Sequence, residues 1–151
     1  MPKCICLITC QGAALDQSTL NWTLFNTIEQ VSTPFLGVPH PLETVTFWQA
    51  TDAEVNKKFK LKLVLETEDG KRVAESAESD LIPGAKRHRL RLIGFPFPSA
   101  PGKYVARVEW RTPESSSWQK EAAEWRVEIN AAPLPIDMQP VQAVVTPKKR
   151  E

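Results

Sequence analysis

The sequence predicts an all-β protein, an antiparallel immunoglobulin-like β-sandwich of seven or eight strands followed by an extended C-terminal tail. Three observations predict it. Pro101-Gly102 opens a run in which Tyr104, Ala106, Val108 and Trp110 alternate with Lys103, Val105, Arg107 and Glu109, the period of a strand with one face in a core. Phe59, Leu61, Leu63 and Leu65 alternate in the same way with Lys58, Lys60, Lys62 and Val64, and Asp69-Gly70 follows where a hairpin needs positive φ. Short apolar runs divided by turn residues, with little helical periodicity, account for the rest of the chain. Closing the same strands into a barrel is the alternative architecture.

Taken in order, Cys4 to Thr9 is a first strand, apolar on both faces, and Gln11-Gly12 ends it. Leu20 to Val31 alternates Leu20, Trp22 and Leu24, then shifts register near Phe25, as one long strand with a bulge does. Its Asn, Thr and β-branched content disfavours a helix. Pro34, Pro39 and Pro41 hold an extended connection before a strand from Thr44 to Ala50 that carries Val45, Phe47 and Trp48. The Phe59 strand and Lys71 to Ala77 then form a hairpin about a two-residue Asp69-Gly70 turn. Pro83-Gly84 turns the chain into a strand whose inward set is His88, Leu90 and Leu92. Pro96, Pro98 and Pro101 lead to the Tyr104 strand, and Tyr104 resembles the tyrosine corner of immunoglobulin-like domains, whose phenol bonds backbone near the strand start. The last strand is Glu121 to Ile129, with Ala123, Trp125, Val127 and Ile129 inward and Glu124, Arg126 and Glu128 outward.

Residues 1–130 thus form the sandwich. Residues 131–151 differ in composition, with Pro133, Pro135, Pro140 and Pro147 and a final Lys148-Lys149-Arg150, and read as an extended tail. Within it, Val141 to Val145 is a candidate strand for a partner's sheet edge.

A chain of 151 residues suits one core, and 42% hydrophobic with 25% charged residues excludes wholesale disorder. The formal net charge of +1 excludes a whole-molecule field that would attract nucleic acid or an anionic membrane, so any electrostatic function must come from local patches. The first apolar stretch is too short to span a membrane and has no small-residue cleavage site. Three cysteines within the first ten residues are spaced for neither a zinc ribbon nor a disulfide framework and fit a reducing compartment. A cytoplasmic protein without membrane contact is expected.

Asp16 to Glu29 with its Leu24-Phe25-Asn26-Thr27-Ile28-Glu29 core, the Glu68-Asp69-Gly70 turn and the Pro101-Gly102-Lys103-Tyr104 segment resemble a family of small bacterial proteins of unknown function. The resemblance covers roughly residues 4–129. It implies an immunoglobulin-like β-sandwich in a bacterial cytoplasm and carries no activity, cofactor or catalytic residue.

Few residues assemble into a chemical site. Cys4, Cys6 and Cys10 share the parity of one strand face, where a metal site would begin. Strand neighbours two apart are roughly 6.5 to 7 Å apart, wide for one tetrahedral ion, so small buried side chains are the plainer reading and no metal is expected. His40 lies between two prolines and His88 on an inward face, neither beside an evident nucleophile. Glu66, Glu68 and Asp69, and Glu75, Glu78 and Asp80, read as solvated acidic surface, and the isolated glycines build no phosphate loop.

The one ordered charge pattern is a candidate cationic ridge. Lys58, Lys60 and Lys62 share one strand face and Arg87, Arg89 and Arg91 another, and if those strands are neighbours six cations adjoin to hold phosphates or an acidic protein. The competing reading pairs the lysines with Glu75 and similar residues across the hairpin. No aromatic is expected among these cations on the outward face, so single-stranded nucleic acid would lack a stacking platform.

The function expected is therefore a non-enzymatic protein–protein interaction module, using a sheet face or edge to bind another protein or a second copy of itself, with no cofactor. Trp118 is a candidate exposed contact. Polyanion or nucleic-acid binding through the cationic face and the basic tail is the alternative. A ligand-binding or catalytic site around His40 and Trp48 ranks last.

Overall fold

The structure, a computed structural model, describes residues 2–19 and 21–133 of the 151. Leu20 and the segment with Val141–Val145 and Lys148–Arg150 lie outside the described residues. The described residues form ten strands in chain order: β1 (Lys3–Leu15), β2 (Trp22–Thr27), β3 (Gln30–Thr33), β4 (His40–Gln49), β5 (Phe59–Thr67), β6 (Arg72–Glu75), β7 (Ser79–Leu81), β8 (Arg87–Phe95), β9 (Gly102–Arg111) and β10 (Gln119–Ala131). They form a four-stranded sheet in the order β2-β1-β4-β8 and a six-stranded sheet in the order β3-β10-β9-β5-β6, with β7 also pairing β5. Every pairing is antiparallel except β3 with β10, which is parallel. Two separate sheets make this a sandwich and not a barrel.

Ten strands exceed the expected seven or eight for two local reasons. The run expected as one strand from Leu20 to Val31 is divided after Thr27: the chain leaves the four-stranded sheet as β2 and enters the six-stranded sheet as β3, and within β2 Asn26 takes φ of 49°. Asn tolerates that left-handed conformation better than most residues. Hydrogen bonds from Ile28 N to Thr9 O (2.9 Å) and from Trp125 Nε1 to Ile28 O (2.6 Å) fix the crossing against both sheets. The return from the Asp69-Gly70 turn likewise divides into β6 and β7. The turn itself has three residues, not two: Thr67 N bonds Lys71 O at 2.9 Å, Gly70 N bonds Thr67 O at 2.9 Å, and Gly70 alone takes positive φ, 85°.

The core lies between the sheets. Leu61, Leu63 and Leu65 of β5, Ala106 and Val108 of β9, and Val127 and Ile129 of β10 meet Cys4, Leu7 and Trp48 of the other sheet. Each fully buried leucine contributes roughly 2 kcal/mol of transfer free energy. Phe59 meets Trp110 edge-on at 5.6 Å, and Trp48 buries its indole while donating Nε1–H to Thr46 Oγ1 at 2.8 Å. At the start of β9, Tyr104 OH donates to Ala100 O at 2.8 Å, the tyrosine-corner bond expected from the sequence.

β1 does not end at Gln11-Gly12. Its far half continues to Leu15, pairs with β2 and arches over the outer face of its own sheet. Ala13 is held there on both sides, its N–H donating to Glu43 Oε2 (2.7 Å) of β4 and its carbonyl accepting from Arg91 Nη1 (2.9 Å) of β8. Beneath the arch, Cys10, Ala13 and Val45 form a second small core with Trp22, Leu24 and Phe47. That second core explains why the first strand is apolar on both faces.

Candidate functional site

The six cations singled out by the sequence divide between the two sheets. Lys60 and Lys62 stand on the outer face of β5, with Lys58 just before it, while Arg87, Arg89 and Arg91 stand on the outer face of β8. The two strands are not hydrogen-bonded neighbours and belong to different sheets, so no single six-cation ridge exists.

The lysines are neutralised locally. Lys58 Nζ lies 2.7 Å and Lys60 Nζ 2.8 Å from the two Asp80 carboxylate oxygens, because β7 pairs with β5 and sets Asp80 opposite Lys60. Bonds from these two ammonium groups hold the Asp80 carboxyl below the usual carboxylate range. Lys62 reaches Glu75 at 2.8 Å and Glu109 at 3.7 Å, and Arg72 closes the group by pairing with both carboxylates. The Lys62 bond is also the leading reason that the Glu75 carboxyl is held low. Farther along the same face, Glu66 pairs with Lys120 at 2.5 Å and Arg107 at 3.6 Å, and Arg107 also pairs with Glu124. Glu66, Glu109 and Lys62 are buried under this lattice of long side chains.

Aromatics do accompany the cations, contrary to expectation. Trp118, half-buried, lies under Lys62 Nζ at 4.6 Å and Arg111 at 5.0 Å, and Phe47 lies under Arg89 at 5.6 Å. Trp118 enters from the β9–β10 connection and Phe47 from neighbouring β4, and neither placement follows from strand parity within β5 or β8.

The arginines stand in a different setting. β8 ends the order of its sheet, and among the described residues it is hydrogen-bonded to β4 alone. Nine residues long, it exceeds the other terminal strands β2 (six), β3 (four) and β6 (four). Its ladder parity is set by the bond from Ala50 N to Lys86 O (2.8 Å), one step beyond the Gln49–Arg87 pair. Counting along the ladder, His88, Leu90 and Leu92 turn their backbone groups toward β4, whereas positions 87, 89, 91 and 93 turn theirs to the sheet edge. The edge-facing positions are therefore the ones whose side chains stand on the outer face. Arg91 is 3.9 Å from Glu43, and Ile93 is 68% exposed. Beside the far half of this edge the two sheets part, leaving a gap of about 280 Å³ bordered by Pro39, Leu92, Ile93 and Pro96 together with the polar Glu75 and Ser79. Ile93 continues the alternation of the three arginines and was legible in the sequence as the fourth member of the set.

The remaining candidates disperse. A register irregularity between Cys4 and Cys6 inverts parity along β1, so Cys4 lies in the main core, Cys6 is exposed and Cys10 lies in the second core. The three thiols do not share one face. Burial pushes the Cys4 thiol up to about 12 and also raises that of Cys10. His40 stacks on Phe97 at 4.1 Å and meets Thr33 Oγ1 at 2.9 Å through Nε2, tying β4 to β3. Trp48 lies eight residues farther along the same strand, roughly 26 Å away, so His40 and Trp48 do not share a site. His88 is half-buried, and burial lowers its pKa.

No protein-family model matches the chain, and no curated protein matches it in sequence. Among solved structures it is similar to the C-terminal domain of Wzt, with a TM-score of 0.47 and 8% identity over 87% of this chain and 74% of that one. It is also similar to a family 123 glycoside hydrolase from Clostridium perfringens, with a TM-score of 0.38 and 12% identity over 85% of this chain and 28% of that one. A third likeness is to the soluble domain of PmoD from a Methylocystis species, with a TM-score of 0.30 and 8% identity over 82% and 89% of the two chains. Likenesses at these scores carry nothing about binding or activity. Of the resemblance to small bacterial proteins, the part the structure carries is the all-β sandwich. Among the described residues, no helix is long and apolar enough to cross a membrane.

Proposed function

We propose that the chain is a non-enzymatic interaction module that binds a partner protein by accepting an extended segment at the β8 edge. The observation that carries this reading is the nine-residue terminal strand whose ladder stops at β4. A long strand at the end of a sheet presents a row of backbone donors and acceptors that template another strand. The gap beside Leu92 and Ile93 offers room for alternate side chains of an added strand.

Ile93 supplies a selective test. Its backbone faces the edge and its side chain is exposed, so Ile93→Pro deletes an edge donor while leaving the β4 ladder and the core in place. Ile93→Ala removes the same side chain and keeps the donor. Affinity capture from nuclease-treated native lysate is expected to retain a defined protein on the wild type and on Ile93→Ala and to lose it on Ile93→Pro. Equal retention by both variants refutes edge addition, and recovery that vanishes with nuclease supports polyanion binding in its place.

A further inference from the structure

Resting on the edge-addition reading, we infer that the chain's own segment Val141-Gln142-Ala143-Val144-Val145 pairs with the far half of the β8 edge in cis, and that a partner strand must displace it. This is the candidate edge strand read from the sequence, and it lies outside the described residues. Three β-branched residues in five, between Pro140 and Pro147, suit a short strand added at an edge.

The place where the described chain stops puts the edge within reach. Ala132 donates its N–H to Thr33 O at 2.9 Å, Thr33 Oγ1 lies 2.9 Å from His40 Nε2, and His40 pairs with Phe95, the last residue of β8. The chain thus leaves β10 three contacts from the end of β8. Val141 follows Ala132 by nine residues, among them Pro133, Pro135 and Pro140, and an extended proline-rich path of that length covers roughly 28 Å at ~3.1 Å per residue. Direction agrees with reach. β8 runs from Arg87 to Phe95, so a segment that arrives at the Phe95 end and follows the edge runs antiparallel to β8, as β4 does on the other side.

Register follows from what the edge leaves uncovered. Leu90 and Leu92 pack against the main core yet stay only partly buried, and the gap of about 280 Å³ opens beside Leu92. Val141 opposite Leu92 sets Ala143 opposite Leu90 on the same inward face, with Gln142 opposite Arg91 and Pro140 opposite Ile93. Gln142 then exchanges both backbone bonds with Arg91, the Pro140 carbonyl accepts from the Ile93 N–H, and Ala143 turns its N–H to solvent. Proline falls at the first residue of the added strand, where its missing donor costs least. Tethering gives the segment an effective concentration of about millimolar, so a weak pairing suffices to fill the edge. If the segment leaves the edge open in about one molecule in ten, a partner strand binds about tenfold more weakly than to an open edge.

The test follows amide exchange residue by residue in the full chain and in two full-length variants. Gln142→Pro deletes the N–H that faces Arg91, whereas Ala143→Pro deletes one that faces solvent. The Arg91 and Ile93 amides are expected to exchange at least about tenfold more slowly in the wild type and in Ala143→Pro than in Gln142→Pro, and a millimolar synthetic peptide of residues 139–147 should restore their protection in Gln142→Pro. Equal protection in the wild type and Gln142→Pro overturns pairing by this segment. Protection that grows with protein concentration, alongside a dimer in sedimentation, overturns docking in cis and places the segment on a second copy. Arg91 and Ile93 amides that are unprotected in the wild type but protected by the peptide overturn occupancy by the chain's own segment while edge addition stands. No protection in any of the three proteins, with or without peptide, overturns both readings.

Discussion

Lys62, Arg72, Glu75 and Glu109 form a charge-neutral quartet on the outer face of the six-stranded sheet, and we expect its members to be costlier to remove singly than in opposite pairs. Glu109 has a side-chain exposure of 7% and Lys62 of 9%, whereas Arg72 and Glu75 are 42% and 46% exposed. Glu109→Leu leaves two cations sharing Glu75, one of them buried; Lys62→Met leaves two carboxylates sharing Arg72. Removing one partner of a fully buried pair costs about 3–5 kcal/mol, but the retained counter-ion and partial exposure reduce this to about 1.5 kcal/mol for each variant. The double variant restores neutrality with the Arg72–Glu75 pair at 3.0 Å intact, so it should lose only about 1 kcal/mol, giving a coupling of about 2 kcal/mol. Urea unfolding of the four proteins at neutral pH, at low and high ionic strength, measures the cycle. Additive losses would refute it, because they would mean that the buried charges act independently of one another.

Two further outcomes follow from single contacts. Tyr104→Phe deletes the bond to Ala100 O, and since Ala100 is exposed and its carbonyl can rehydrate, the loss should be about 1 kcal/mol, or about 3 °C in Tm by calorimetry. A thiol-reactive probe in mildly alkaline buffer should modify Cys6 promptly and Cys4 and Cys10 only on unfolding, because burial excludes the reagent from both and raises their thiol pKa values. Mass spectrometry of the labelled native protein reads the site, and prompt labelling of Cys4 would contradict its place in the core.

What was legible in the sequence was local. Alternation placed Leu61, Leu63 and Leu65, then Tyr104, Ala106, Val108 and Trp110, then Val127 and Ile129, on the face they occupy, because a strand's two-residue period depends on nothing outside the strand. The same rule failed where one residue breaks the period. The irregularity at Cys4/Cys6 set Cys4 apart from Cys6 and Cys10, which counting had put together with it, and the break at Ile28-Glu29 divided a run that counting had joined. Local pattern also gave the Lys62–Glu75 pairing, which a hairpin enforces, but not Asp80 beside Lys58 and Lys60 or Trp118 beneath Lys62, which come from separate elements.

Strand order lies a level above any such pattern. In the sequence, β5 with the Lys58 just before it and β8 look alike, each with three cations on alternate positions; in the fold, β5 lies between β9 and β6 while β8 ends its sheet. That single difference changes where each set of cations finds its partners. Within a sheet they acquire carboxylates from both neighbours, and the lysines of β5 become part of a neutral lattice. At the end of its sheet β8 has one strand neighbour among the described residues, β4, where Arg91 lies 3.9 Å from Glu43 and Arg89 lies over Phe47. The candidate site therefore consists of the same residues that read as ordinary amphipathic strand, made distinctive by the absence of a second neighbour among the described residues.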